Sequence, residues 1–180
     1  DGRFDVDKSY IFTAANQSTR SISSGSRLPL ISIRLAPSVD YGIPGFFGVR
    51  NLINRSALTL DSIGLAARGI FTYEVVINSE SSVFSVNNNW KRAPNGSIAQ
   101  YIDHSLTTGG SFNSGDVVFA GFSDEGSGRF STTQVSIESL RELGNSILGG
   151  PGVYPDGPDV LTLYVTNNSG STRTIYGRIS

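Results

Sequence analysis

The chain has no cysteine, no methionine, one histidine and one tryptophan in 180 residues. Without cysteine there is no disulfide, no thiolate metal site and no cysteine nucleophile. A single histidine with no thiol leaves zinc without a ligand set. Charged residues make up 16% of the chain, below the usual quarter, and the formal net charge is −1. Lysine occurs only at Lys8 and Lys91, so most positive charge is arginine. No basic run or face can be assembled. Nucleic-acid binding rests on clustered cations that neutralise phosphates, and it is not expected here. No apolar run approaches the roughly 18 residues that span a bilayer, so no membrane partner is expected either. The opening "DGRFDV" lacks the apolar core of a signal peptide. With no methionine at position 1, the expectation is a segment of a longer polypeptide or a processed product.

What fills the chain is serine, threonine, asparagine and 21 glycines, with 38% hydrophobic residues. A surface of this kind is solvated by hydroxyls and amides more than by charge, as in many secreted, adhesive and virion β-proteins. The length fits one domain with a real core. Residues 1–28 are polar with isolated aromatics and read as an extended arm or linker, or else as a short strand and loop of the same domain. Residues 29–180 read as the folded domain.

Within that domain, "LISIRLAP" (30–37) alternates, with Ile31, Ile33 and Leu35 on one side, and period two marks a half-buried strand. "IFTYEVVIN" (70–78) alternates most cleanly, with Phe71, Tyr73, Val75 and Ile77 on one face. "SALTLDSIGLAA" (56–67) slips register near Asp61 and Ser62, as a bulge or tight turn would make it. Short strands are also expected at 83–86, 98–104 and 129–135. "DVVFAGF" (116–122) is apolar on both faces and reads as an interior strand. "LTLYVTN" and "TRTIYGRI" flank "NNSGS" like the arms of a hairpin. One segment breaks the pattern: 136–148 has Ile137, Leu140, Leu143 and Ile147 at helical spacing, with Ser136 as N-cap and Gly144 weakening the run. Together these predict an all-β antiparallel sandwich, jelly-roll or Greek-key-like, with one short helix.

Chemistry is sparse. His104 stands in "YIDHSLT", but side chains alternate along a strand, so Asp103 and Ser105 point away from it and the three form no triad. A surface or strand-end histidine is expected. Acidic turns at 123–128 and 156–159 are candidates for calcium, with solvated turns favoured, and the scattered carboxylates cannot be paired from sequence alone. "GNSILGGPGVYPDGPDV" (144–160) holds five glycines and three prolines. A phosphate loop needs glycines leading into a helix, and here the predicted order is helix, glycines, strand. The stretch reads as a stiff connection with Val153 and Tyr154 near its tip. No catalytic residue, metal or cofactor is expected. The contact candidates are Phe46 and Phe47 in the 40–48 loop, Trp90, Tyr101, Val153 and Tyr154, with core burial the competing reading for Trp90.

"ISIRLAPSVDYGIPGFFGVRNLINR" (31–55), "GSIAQYIDHSLTTGGSFNSGDVVFAGF" (96–122) and "RELGNSILGGPGVYPDGPDVLTLYVTNNS" (141–169) resemble segments of virion structural proteins of tailed bacteriophages, especially marine and cyanobacterial ones. The resemblance implies a piece of a baseplate, tail-fibre or head-exterior protein, located in the virion. Its partners would be other virion proteins and copies of itself in a homo-oligomer, a trimer included. It carries no catalytic residues. Two further expectations stand beside it. One is a glycan- or receptor-binding module that uses Trp90, Tyr101, Tyr154 and Asn87 to Asn89, with a host surface glycan as ligand. The other is a carbohydrate-active enzyme.

Overall fold

Alternating β-branched and aromatic residues fold into two layers of antiparallel strands. The computed structural model describes residues 13–36, 38–39, 52–53, 58–92, 99–106, 110–113, 115–123, 131–136, 143 and 157–180. One layer has six strands in the order β10 (Asp116–Ser123), β7 (Phe71–Ile77), β12 (Leu161–Asn167), β3 (Arg27–Leu35), β9 (Ala99–Asp103) and β8 (Lys91–Arg92). The other runs β1 (Ala14–Ala15), β13 (Arg173–Ile179), β6 (Ser62–Ala67), β11 (Ser131–Ser136), and β2 (Arg20–Ile22) also pairs with β13. β4 (Ser38–Val39) and β5 (Leu52–Ile53) form a separate two-stranded ribbon. Every strand pair among the described residues is antiparallel.

The alternating residues supply the core between the layers. Ile31, Ile33, Phe71, Val75, Leu161 and Leu163 from the larger sheet meet Ile63, Leu65, Ile175 and Ile179 from the smaller one. Pro29 lies inside central strand β3, where a proline normally breaks the ladder. It is tolerated because the β3–β12 register shifts there, leaving Leu30 as an extra residue. Leu30 then also points inward, against Gly177 of β13, where a Cβ would come within 2.8 Å of its Cδ1.

Several expectations need correction. From Thr13 onward the expected arm belongs to the sandwich, because β1 and β2 both pair with β13. "VFSV" forms a 3-10 turn, Ser82–Ser85, capped by the Ser81 hydroxyl, which accepts from the Val83 N–H; a second turn spans Asn87–Asn89. A four-residue apolar run has too few periods to separate the two conformations. β12 and β13 are not a hairpin. They stand in different sheets and face each other across the core, because both carry inward apolar residues. Asn167 makes this crossing: its Nδ2 donates to the carbonyls of Ile22 and Ser171, and its Oδ1 accepts from the Ser169 N–H. The strand at 116–122 is an edge among the described residues, not an interior strand. The predicted helix lies mostly outside the described residues, but Ser136 ends β11 and Leu143 pairs with Leu58 in an antiparallel bridge. The slip near Asp61 and Ser62 is real, since β6 begins at Ser62 after the Leu58 bridge.

Candidate functional site

The titratable and aromatic side chains gather at the end of β9 and on the outer face of the six-stranded sheet. Asp103 faces inward. Its Oδ1 accepts from Asn16 Nδ2 at 2.8 Å, the Ser105 N–H at 2.9 Å and the Ser105 hydroxyl at 2.6 Å, and its Oδ2 accepts from the Gln17 N–H at 2.7 Å. Desolvation pushes the carboxyl up, but the bonds from Ser105, Gln17 and Asn16 outweigh it and hold the pKa below the usual value. Asn16 also donates to the Leu30 carbonyl and accepts from the Gly177 N–H. It therefore joins both layers.

His104 follows Asp103 and turns to the opposite face. It is 2% exposed. Its Nε2 is 2.8 Å from the hydroxyl of Ser32, which in turn lies 2.8 Å from that of Thr162. Phe112 and Phe84 pack edge-on to the imidazole, at 5.3 and 6.4 Å between centroids. Desolvation, then the charge of Arg20, drives the histidine pKa down to about 3, with Asp103 opposing. Arg20 donates from one nitrogen to the carbonyls of Pro29 and His104, tying the turn to β3. The histidine thus stands at the strand end, one of the two places expected, but as a neutral core group and not a surface one.

A serine and a histidine at hydrogen-bond distance invite comparison with a nucleophile and its base. The serine is Ser32 of β3, not the adjacent Ser105, which binds Asp103. Ser32 is fully buried, and the aromatic lid seals the pair from any substrate carbonyl. Sequence reasoning missed this pairing. The only signal was a serine on the polar side of "LISIRLAP", a side that proves to be covered.

The cover is a second small core formed by Val83, Phe84, Trp90, Ile102 and Val160. Trp90 is 6% exposed, and its indole N–H donates to the Phe84 carbonyl at 2.8 Å. The buried Arg34 guanidinium lies 4.2 Å from the Trp90 ring centroid, and desolvation lowers its pKa to about 10. Trp90 is therefore a core side chain and not an exposed anchor. Tyr101 is half-buried against the main core. Asn89, one of the asparagines expected to meet a glycan, donates its amide to the Val83 carbonyl. Phe46, Phe47, Val153 and Tyr154 lie outside the described residues.

A groove of about 250 Å³ opens on the same face between Arg20, Arg27, Phe112 and Tyr164. Its aromatic wall is already occupied: the Arg27 guanidinium sits 3.9 Å over the Tyr164 ring and pairs with Glu74 at 2.9 Å. Among the described residues, no group of three or more histidines or carboxylates gathers as a metal site would require. No helix among them is long and apolar enough to cross a membrane.

Among the described residues, the two most exposed large apolar side chains lie elsewhere, on edge strand β10. Phe122 is 70% and Val117 55% exposed, and Val118 is also exposed. β10 pairs with β7 on one side and with no strand among the described residues on the other. The chain matches no family model and no curated protein.

Proposed function

We propose that this protein is a structural component of a tailed-phage virion, a β-sandwich module that makes subunit contacts in the tail, fibre, baseplate or capsid exterior. The observation that carries the contact role is β10. It presents exposed phenylalanine and valine side chains at the end of a six-stranded sheet, on a side where no strand among the described residues pairs with it. Such an edge is a pairing template unless a partner covers it. The low charge and the resemblance of residues 31–55, 96–122 and 141–169 to phage virion proteins support the location.

The glycan-binding reading is weaker, because Trp90 is in the core and the Tyr164 ring is covered by Arg27. Mass spectrometry of purified phage particles, combined with a reconstruction, tests the proposal. The expected result is the chain at stoichiometric copy number in symmetric density. Its absence from particles overturns the proposal.

A further inference from the structure

We propose that β10 pairs with β10 of a second copy across a two-fold axis at Ala120, so that two six-stranded sheets join into one. The inference deepens the contact role above by naming the partner. It comes from the register of the edge strand.

β10 contains one bulge. Val117 pairs with Val76 and Phe119 with Val75, so Val118 has no partner of its own. The bulge reverses the facing of everything before it. Val117 and Phe122 are five residues apart and would lie on opposite faces of a regular strand. With the bulge, Val117, Ala120 and Phe122 share the outer face, opposite Val76, Glu74 and Thr72. Phe119 and Gly121 share the inner face, opposite Val75 and Tyr73.

Counted without Val118, the strand has its midpoint at Ala120. An antiparallel copy centred there places Val117 opposite Phe122, Phe119 opposite Gly121, Asp116 opposite Ser123 and Ala120 opposite itself. Each pair joins residues of the same face, as a continuous sheet requires. The two most exposed large apolar side chains among the described residues meet each other, and no like charges oppose. On the inner face the Phe119–Gly121 pair adds no clash: the Tyr73 ring already covers Gly121, where a Cβ would run into it, and Phe119 stacks on Tyr73 of its own chain at 6.1 Å between centroids. Two-fold pairing is also the commonest way in which identical chains associate. A ladder this short buries less than the roughly 800 Å² per partner of a stable interface, so the free dimer is transient and is reinforced within an assembly.

The chain has no cysteine, so a single introduced thiol reports on one position alone. Directly opposed antiparallel residues have Cα atoms about 4.5–5.5 Å apart, within disulfide reach. The test is Ala120→Cys in the full chain, oxidised with copper–phenanthroline, against Ser171→Cys on an exposed turn. Far-UV circular dichroism checks that each variant folds. Dimer formation at position 120 is expected to be roughly tenfold faster or more, the effect of raised local concentration. Phe122→Ser in the Ala120→Cys background is expected to remove that excess. Val117→Cys and Phe122→Cys are expected to cross-link when mixed and not alone. Equal rates at positions 120 and 171 overturn the proposal, as does a fast rate that Phe122→Ser leaves unchanged. A chain found in particles that does not self-link retains the contact role with a different partner. Self-linking by a chain absent from particles separates the dimer from the virion reading.

Discussion

Asn16 and Asp103 are 87 residues apart in the chain and 2.8 Å apart in the fold, where an amide donates to a buried carboxylate. The same asparagine side chain bonds Leu30 in the larger sheet and Gly177 in the smaller. Asn16→Ala leaves a carbonyl, an N–H and part of a carboxylate unsatisfied at once. The expected loss is on the order of 3 kcal/mol, read as a lower urea midpoint. Asn16→Asp is expected to cost more, because it sets a second carboxylate against Asp103.

Stability should rise with pH between about 3, the value to which the His104 pKa is driven, and 6.5, its ordinary value. In that window the unfolded chain binds a proton at His104 that the folded chain refuses, so acid favours unfolding. Asp103 acts lower down. Its depressed pKa contributes stability above the ordinary carboxyl value of 3.8, and this is lost as pH falls through the folded one. Chemical denaturation at a series of pH values is expected to show the rise, and His104→Gln is expected to flatten it between pH 4 and 6.5 while leaving the steeper acid limb.

Gly177 of β13 packs directly against Leu30 of the facing layer. A methyl group there would sit 2.8 Å from Leu30 Cδ1 and 3.2 Å from Asn16 Oδ1. Gly177→Ala is expected to destabilise by about 1–3 kcal/mol, as overpacking does. Leu30→Val in the same chain should recover part of that loss. A double-mutant cycle on denaturation midpoints measures the coupling.

The lone tryptophan reports on its own environment. Trp90 emission is expected to be blue-shifted in the folded protein and to move red on unfolding. Trp90→Ala is expected to cost about 3–5 kcal/mol, as large core truncations do. Dimer formation through Ala120→Cys should survive Trp90→Phe, since the ring lies in the core and not at the edge strand.

The fold was legible wherever one face of a strand is buried and the other is half-wet. Phe71, Tyr73, Val75 and Ile77 are buried on schedule, with Thr72 and Glu74 between them half-buried. Legibility failed where the outer face is also covered. Ser32, Arg34 and Thr162 look like solvent-facing positions, yet all are buried beneath Phe84, Trp90 and Phe112. Nothing local to β3 announces that a segment fifty residues later folds back over it. β10 failed in the opposite sense. Apolar residues on both faces are equally the mark of an interior strand and of an edge that another surface will cover, and only topology separates the two. The Ser32–His104 pair was hidden for the same reason as the second core, since its partners come from different strands.

The order of strands in each layer bears on synthesis. β12 occupies an interior position of the larger sheet and β13 of the smaller, and among the described residues these two strands follow all the others in the chain. Until residues 161–179 have left the ribosome, β7 and β3 lack the strand that separates them, and β6 lacks its link to β1 and β2. The pairs β10–β7, β11–β6 and β3–β9 can form earlier, but neither layer is continuous until these residues have emerged. Closure of both layers is then one late event, with the slow, non-local character of β-topologies. Chaperone dependence during production, and aggregation of chains interrupted before residue 161, are what this strand order entails.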